Sequence, residues 1–500
     1  MGKGLGAFAA VVTLAVTAAS WGGLDAPPVS HDGASYLLQS RIFASGHWAA
    51  PAPPLPEFFE QYHVLVTPVL ASKYPPGQAL LLVPGTLVSL PGLVPLLLSS
   101  LTAFLLVTLI APRWGRRVAA ITWAVWLLAP LGLHFRPTYL SEVSTAFLWV
   151  AGWWCLARWW NGKGDRYLVA LAVAVGWMAI TRPLTAVAYA VPLAVVVLGR
   201  AWGERRWRGL GAAVAAGTAV LAILPTWSRM TTGSWTRTPL AAYTAQYMPW
   251  DRIGFGLDST PPLRAGPPGM AHFVERYREW HRAFTPAGAV RTAWARARRL
   301  AHESWGGAAA LTLFLALVGL KVLDRRLALA LAQAGLLLLL YAFYAHGVPW
   351  NVYYLEALPV FSLMPVLGLY WLDSLAVAGG PPRASGLLPA GGFALAALMA
   401  GAAIEEYGKV RVRQEPYLRL RRAVSGASAP AVVFVRRPAG HSHNVQLVVN
   451  EPDLAGAGVW LVHDLGERNR ELLQVAGKRA VYVFDEATGR LVPMGPAGGG

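Results

Sequence analysis

Long apolar runs separated by short polar segments dominate the chain before residue 406. Most of these runs have about twenty residues, the length that an α-helix needs to cross the hydrocarbon core of a bilayer. The apolar run at 77–90 is shorter, and we interpret it as an interfacial or re-entrant helix. We expect about eleven transmembrane helices, placed approximately at 5–22, 93–111, 118–134, 142–160, 167–181, 184–199, 210–226, 304–321, 327–345, 354–372 and 387–404. The pattern therefore predicts a mainly α, polytopic helical membrane protein.

Two long polar segments, 23–76 and 227–303, interrupt the apolar pattern. Within the second, residues 275–299 have the spacing of one amphipathic helix that lies on the membrane surface. Its arginines either only anchor that helix or also face an anionic substrate. The first apolar run is either a signal peptide or an uncleaved anchor. The single basic residue before it, Lys3, and the many spans after it favour an anchor.

The pattern changes after residue 405. Short apolar runs at 431–435 and 459–462 predict buried strands, 467–475 predicts a helix, and 480–492 predicts a hairpin. We therefore divide the chain into a transmembrane domain, 1–405, and a small α/β domain, 406–500.

Composition and charge set the expected orientation. The chain is 55% hydrophobic and 14% charged, with a formal net charge of +18. Arginine and lysine cluster in alternate short loops, among them those with Arg113, Lys163, Arg200 and Arg325, and the positive-inside rule places these loops in the cytoplasm. The opposite loops and the tail then face the periplasm or the exterior of a bacterial inner membrane. Membrane lipids and anionic lipid substrates, and not nucleic acid, are the partners that this basic charge favours.

The polar segment 23–76, which we call the first outer loop, concentrates polar side chains, beginning with His31 and Asp32. Asp32 and Tyr36 are four residues apart, so they share a face if a helix starts nearby. Asp32 is either the N-cap of that helix or a group with a chemical role, and spacing alone leaves both open.

Several segments on the predicted outer side resemble the GT-C fold glycosyltransferases, broadly glycosyltransferase family 39, which includes protein mannosyltransferases and the lipid A aminoarabinose transferase. The likeness covers about residues 1–375. It is carried by Asp32-x-x-x-Tyr36, Phe58-Phe59-Glu60-Gln61-Tyr62-His63, Ser72-Lys73-Tyr74-Pro75-Pro76-Gly77, Arg136-Pro137, Ser141-Glu142, Thr181-Arg182-Pro183 and Tyr353-Tyr354-Leu355-Glu356-Ala357-Leu358-Pro359.

The resemblance implies a GT-C-like transmembrane domain and a polyprenyl-phosphate-linked sugar as donor. It also implies a lipid, glycan or protein acceptor reached from outside, and inversion at the anomeric carbon. The first-loop aspartate of the family is the general base, a role that we carry over to Asp32 alone. The chain departs from its relatives at two places. Gly33 stands where many have a second acid, and Tyr353 stands where they often have arginine.

Binding of the donor phosphate requires cations or hydrogen-bond donors near the leaving oxygen. Lys73 either binds that phosphate or only extends toward the interface. Glu60 and Glu142 are either substrate contacts or solvated charges, and Arg182 is either a phosphate contact or a turn residue. His63 and His346 are either ligands or structural groups. The predicted substrate-binding residues are Tyr36, Glu60, His63, Lys73, Tyr74, Arg136, Glu142, Arg182, His346, Tyr353 and Tyr354.

No Walker loop or Rossmann fingerprint is present, and we expect no required cofactor. A divalent metal remains open, because His31, Asp32, Glu60 and His63 are possible ligands without tight spacing. Two rival functions are a transporter or flippase of lipid-linked saccharides and a non-catalytic lipid-binding scaffold. A transporter would need charged residues in mid-span, and the predicted spans are nearly free of them.

Overall fold

The computed structural model describes residues 2–378, 386–438, 440–442 and 444–494. The C-terminal end of the predicted tail domain, 495–500, lies outside the described residues. Most of the described chain is helical, and the strands belong to two small sheets.

The helices are α1 (Gly2–Trp21), α2 (His31–Ala44), α3 (Gly77–Leu87), α4 (Leu93–Leu128), α5 (Pro130–Phe135), α6 (Ser141–Trp160), α7 (Arg166–Ala179), α8 (Pro183–Gly203), α9 (Trp207–Leu221), α10 (Ile223–Thr232), α11 (Pro239–Tyr247), α12 (Ala271–Ala283), α13 (Pro286–Trp305), α14 (Ala309–Val318), α15 (Arg325–Tyr341), α16 (Leu358–Ala378), α17 (Leu387–Glu406), α18 (Lys409–Val424) and α19 (Asn469–Val475). The strands are β1 (Ala50–Pro51), β2 (Val64–Leu65), β3 (Val69–Ser72), β4 (Ala431–Arg436), β5 (Val459–His463), β6 (Ala480–Asp485) and β7 (Arg490–Pro493).

The transmembrane helices follow the predicted apolar runs. Among the described residues, 7 helical segments are long and apolar enough to cross a membrane. One of them, α4, leaves helical geometry at Gly115, where φ is 89°. Only glycine adopts this conformation readily, and the break separates the two spans predicted at 93–111 and 118–134. α6, α7 and α15 coincide with further predicted spans. The protein is a mainly α, multi-pass membrane protein.

Large aromatic side chains fill the interior of the helical bundle. Trp149 and Trp159 of α6 and Tyr189 of α8 are fully buried, and the rings of Trp149 and Tyr189 meet edge to face at 4.8 Å. Glycines permit close helix crossings elsewhere, since a Cβ atom at Gly368 of α16 would clash with the backbone of α14. The core of the helical bundle thus contains both large aromatic residues and glycines at close helix contacts.

The loop between α10 and α14 differs from the sequence expectation. One amphipathic helix over 275–299 was predicted, and this prediction was wrong, because the chain forms α12 and α13 with a break at residues 284–285. The Thr285 hydroxyl accepts a hydrogen bond from the Gly288 backbone N–H at 3.1 Å, and Pro286 occupies the first helical turn. Both residues favour a new helix start.

The tail forms a four-stranded mixed sheet in the order β5-β4-β6-β7, in which only β7 is antiparallel to its neighbour. These strands confirm the predicted ones. Phe58 and Phe59 of the first outer loop pack against Val432 and Trp460 of the sheet. The tail domain therefore rests directly on the loop that contains Asp32.

Candidate functional site

A cavity of about 580 Å³ lies where the predicted outer loops converge. It is lined by side chains from the first outer loop, the start of α6, the residue before α8, the loop between α10 and α14, and the segment after α15. Eight of the predicted site residues line it: Asp32, Tyr36, His63, Lys73, Tyr74, Glu142, Arg182 and Tyr353.

Asp32 lies in the first turn of α2 but is not the cap of that helix. The N-cap is Ser30, whose Oγ accepts a hydrogen bond from the backbone N–H of Gly33. The Asp32 carboxylate instead accepts a hydrogen bond from the Tyr74 hydroxyl and lies 3.1 Å from His31 Nδ1 and 3.4 Å from His63 Nε2. The structure thus removes the capping explanation for Asp32 and leaves its carboxylate facing the cavity.

The neighbours of Asp32 favour its ionised form. Burial alone would raise the pKa of the Asp32 carboxyl group, but His31, His63 and the Tyr74 hydroxyl outweigh burial and hold this pKa below its usual range. Burial and the nearby Lys73 ammonium lower the pKa of His63 well below its usual range, although Asp32 opposes this effect. The carboxylate is therefore available to accept a proton.

Lys73 is a buried cation without a carboxylate partner. Lys73 is 5% exposed, and its Nζ lies 5.2 Å from the ring centroid of Tyr74 and 5.0 Å from that of Tyr243. Among the described residues, no acidic side chain forms an ion pair with it. Burial lowers the pKa of Lys73, while Asp251 and Asp32 oppose this effect. A buried ammonium group that lies near two carboxylates but pairs directly with neither is suited to an anionic ligand.

Aromatic rings form much of the cavity wall. Tyr36 stacks on Tyr74 at 4.7 Å, and its hydroxyl donates a hydrogen bond to Ser141 Oγ at 3.0 Å. Across the cavity, Tyr353 stacks on Tyr341 at 4.9 Å. These rings give the cavity wall flat apolar faces, while the hydroxyls of Tyr36 and Tyr341 form buried hydrogen bonds with Ser141 and Arg182.

Arg182 is already neutralised by protein groups. Its guanidinium pairs with Glu142, lies 3.5 Å from Glu356 Oε1 and donates to the Tyr341 hydroxyl at 2.6 Å. All three charged side chains are buried, with side-chain exposures of 9% or less. Because the Glu142 carboxylate pairs directly with this guanidinium, Arg182 carries less free charge for a phosphate than Lys73 does.

The structure does not bring four predicted residues to the cavity. Arg136 donates to the backbone oxygens of Trp126 and Leu127 at the end of α4, which makes it a helix cap. His346 contacts the Tyr354 hydroxyl at 3.2 Å, and both are buried.

The fourth of these residues, Glu60, holds loops together. Its carboxylate accepts hydrogen bonds from Arg264 at 2.6 Å and from Tyr247 at 2.8 Å. Its backbone oxygen lies 2.7 Å from Nε2 of His463 in the tail sheet. Glu60 therefore connects the first outer loop to two other parts of the chain.

Asp251 is a cavity residue that sequence reasoning missed. Its carboxylate accepts hydrogen bonds from the hydroxyls of Tyr277, at 2.7 Å, and Tyr344, at 3.1 Å, and its side chain is 10% exposed. In the sequence it belongs to no motif. The sequence shows only that Asp251 is an acid next to Trp250 in the long polar segment 227–303. Nothing in that pattern indicates that it lies near Asp32.

One group of side chains among the described residues has the spacing of a metal site. Ligand atoms of His31, Asp32 and His63 all lie within 4.8 Å of one another. Two imidazoles and a carboxylate are ligands that suit Zn²⁺ or a similar divalent ion. Both imidazoles also lie beside the Asp32 carboxylate as ion-pair neighbours, at 3.1 Å and 3.4 Å, so the residues fit either arrangement.

Two crystal structures of ArnT are among the solved structures that resemble this chain. ArnT from Cupriavidus metallidurans bound to undecaprenyl phosphate aligns over 98% of this chain and 91% of its own, with 15% identity and a TM-score of 0.51. The apo state of ArnT aligns over 95% and 92%, with 14% identity and a TM-score of 0.52. No protein-family model and no curated protein matches the sequence. The arrangement of transmembrane helices, outer loops and tail domain is therefore a GT-C fold similar to that of ArnT.

Proposed function

We propose that the protein is an integral membrane glycosyltransferase that moves a sugar from a polyprenyl-phosphate donor to a hydroxyl or amine acceptor. The observation that carries this proposal is that the Asp32 carboxylate and the buried Lys73 ammonium lie in the same aromatic-walled cavity. Among the described residues, no acid forms an ion pair with Lys73. The fold supports the choice of donor, because ArnT, the similar structure, was crystallised with undecaprenyl phosphate. The family resemblance of the outer-loop motifs points to the same class of reaction.

In the proposed reaction Asp32 acts on the acceptor. As the acceptor oxygen or nitrogen attacks the anomeric carbon, its proton passes to Asp32. The bond between the anomeric carbon and the phosphate oxygen breaks, and the bonding electrons leave with the lipid phosphate. Attack opposite the leaving group inverts the anomeric centre. Because Asp32 is a weak base, it accepts the proton late, once bond formation has made the acceptor acidic.

Lys73 has the complementary role at the leaving group. Negative charge grows on the phosphate oxygen as the bond breaks, and an ammonium already fixed in the cavity stabilises that charge without reorganisation. Tyr74 links the two functions, since its hydroxyl donates to Asp32 and its ring faces Lys73. Arg182, held by Glu142 and Tyr341, orients the far wall of the cavity and contributes hydrogen-bond donors more than net charge.

We place the cavity on the outer side of a bacterial inner membrane, as the positive-inside rule predicts. This side is out of reach of cytosolic nucleotide sugars, which agrees with a lipid-linked donor. We propose no required metal, because Lys73 supplies positive charge at the phosphate. The His31, Asp32 and His63 group makes metal dependence a direct test of this part of the proposal.

The decisive experiment compares Asp32→Asn with the wild type in phospholipid nanodiscs. Each protein receives a panel of polyprenyl-phosphate sugars together with membrane extract, and the products are identified by mass spectrometry. Asp258→Asn is the matched control, since Asp258 is an acid of the same outer region that contacts the Thr260 backbone and does not line the cavity. We expect transfer by the wild type and the control only. Full activity of Asp32→Asn, with unchanged thermal stability, contradicts the assignment. Donor movement across the bilayer without transfer by the wild type supports a flippase instead.

A further inference from the structure

A second and larger cavity, of about 1630 Å³, lies among the loops that the positive-inside rule places in the cytoplasm. It is formed by α4, α6 and α8, the start of α15 and part of α16. It shares no lining residue with the cavity of Asp32. We refer to it as the basic cleft.

The rim of the basic cleft is strongly cationic. Its basic residues are Arg113, Arg158, Lys163, Arg200, Arg325 and Arg326, against one lining carboxylate, Glu204. Arg200 pairs with Glu204 at 2.8 Å, and Arg113 pairs with Asp324. In the described part of the chain, Arg158, Lys163 and Arg325 form no ion pair. The rim therefore has basic groups that no neighbouring acid neutralises.

The walls below the rim are apolar and aromatic. Trp153, Trp154 and Trp160 line the cleft beside aliphatic residues of α4 and α8. The Arg158 guanidinium lies 4.6 Å from the Trp154 ring, and that of Arg200 lies 4.5 Å from the Trp160 ring. Val195, also in the wall, is 73% exposed on the surface of a membrane-spanning helix, so the cleft opens toward lipid. Indoles between an apolar wall and a cationic rim match the level of the lipid headgroups.

We propose that the basic cleft binds an anionic phospholipid of the leaflet on the arginine-rich side. The unpaired basic groups would bind the phosphodiester, and the tryptophan and aliphatic walls would hold the acyl chains. The volume supports a lipid, since the cleft of about 1630 Å³ exceeds the roughly 300–1,000 Å³ of pockets for drug-sized molecules. Basic pockets between transmembrane helices on the cytoplasmic side are suited to such headgroups. This inference does not depend on the proposed transferase activity.

Lipid retention tests the proposal without any assay of transfer. The full-length protein is reconstituted in nanodiscs with equal amounts of phosphatidylglycerol and phosphatidylcholine, and the lipids that stay bound are quantified by native mass spectrometry. The wild type is expected to retain phosphatidylglycerol preferentially. The test variant combines Arg158→Gln, Lys163→Gln and Arg325→Gln. Its ratio of bound phosphatidylglycerol to bound phosphatidylcholine is expected to fall by about tenfold or more, because each basic residue near an anionic lipid raises affinity on the order of fivefold.

The matched control is Arg116→Gln, Arg117→Gln, Arg208→Gln. These three exposed arginines lie in the same set of predicted cytoplasmic loops, do not line the cleft, and give the same change in net charge. Retention by the control equal to that of the wild type supports a specific site. Equal loss in both triple variants, or no lipid preference in the wild type, overturns the proposal.

Ala332→Trp provides a second test that leaves the charge unchanged. Ala332 lines the cleft and is exposed, so an indole there would occupy the cleft without disturbing the core. We expect it to displace phosphatidylglycerol while the thermal stability remains that of the wild type. Unchanged retention in Ala332→Trp would show that lipid binds to the rim alone and would overturn binding within the cleft.

Discussion

The cavity of Asp32 and the basic cleft contain different kinds of charge. The cavity of Asp32 combines carboxylates, imidazoles and a lysine that no acid of the described residues contacts as an ion pair, within a smaller, tyrosine-lined space. The basic cleft is larger and carries mainly cations above tryptophan and aliphatic walls. Moving a proton and stabilising a leaving group need both a base and a cation, whereas holding an anionic lipid needs only cations and apolar surface. The comparison therefore agrees with the proposed transfer chemistry in the cavity of Asp32 and the proposed lipid binding in the basic cleft.

The largest expected effect separates the two cavities through Asp32. Asp32→Asn should lower kcat/KM for sugar transfer by about 10³-fold, because the amide cannot accept the acceptor proton. Retention of phosphatidylglycerol by the basic cleft should not change. Kinetics and lipid mass spectrometry on the same nanodisc sample check both statements. If Asp32→Asn lost both lipid retention and activity, the result would contradict the independence of the two cavities.

Lysine substitutions test the comparison in both directions. Lys73→Met should lower transfer by about 10²-fold, because it removes the cation at the leaving phosphate, and it should leave lipid retention unchanged. Lys163→Met should weaken phosphatidylglycerol retention and leave transfer unchanged. Steady-state kinetics with a fixed acceptor and varied donor provide the first readout. Equal effects of the two variants on transfer would refute the division of roles.

The pH profile tests the electrostatics of the outer cavity. Because the pKa of Asp32 lies below its usual range, the wild-type carboxylate stays ionised and kcat/KM should remain flat from about pH 8 down to about pH 5. Activity falls only as acid protonates this base. Tyr74→Phe removes a hydrogen-bond donor to the carboxylate, so its pKa should rise and the loss should begin up to about one pH unit higher.

Tyr36→Phe is the control for this profile. It removes the same kind of hydroxyl from the neighbouring stacked ring, but that hydroxyl donates to Ser141 and not to Asp32. The fall in kcat/KM of Tyr36→Phe at acidic pH should coincide with that of the wild type. An identical shift in both variants would mean that general loss of polarity, and not the bond to Asp32, sets the profile.

The smallest expected effect is that of metal removal. Treatment with a chelator should change transfer by less than about twofold, because Lys73 and hydrogen-bond donors stabilise the phosphate without a metal. Activity is measured before and after chelation, then again after adding Mn²⁺ or Zn²⁺. A loss that a divalent ion restores would assign the His31, Asp32 and His63 group to metal binding and revise the mechanism.

Local patterns were sufficient for most of the architecture. Apolar run lengths located the spans, and even the break at Gly115 falls between two predicted helices. The strands of the tail were visible as short apolar runs. The prediction of one surface helix over 275–299 was wrong, because amphipathic spacing continues across residues 284–285 although a capping threonine and a proline restart the helix there.

The candidate site was only partly visible in the sequence. Motifs along the first loop identified Asp32, Lys73 and Tyr74, because those residues lie in short distinctive segments. The same reasoning included Arg136 and Glu60, which the structure uses to cap a helix and to join loops. It missed Asp251, whose hydrogen bonds to Tyr277 and Tyr344 come from helices and loops far away in sequence.

The sequence by itself determined that the chain is a polytopic helical membrane protein with a small α/β tail, since hydrophobic length and periodicity are local properties. It also predicts which loops share a side, because the positive-inside rule depends on composition. Only the tertiary structure decided whether Asp32 caps a helix, which cations remain unpaired, and where two separate cavities form. These depend on contacts between residues far apart in the chain: Glu142 pairs with Arg182, whereas no acid of the described residues forms an ion pair with Lys73.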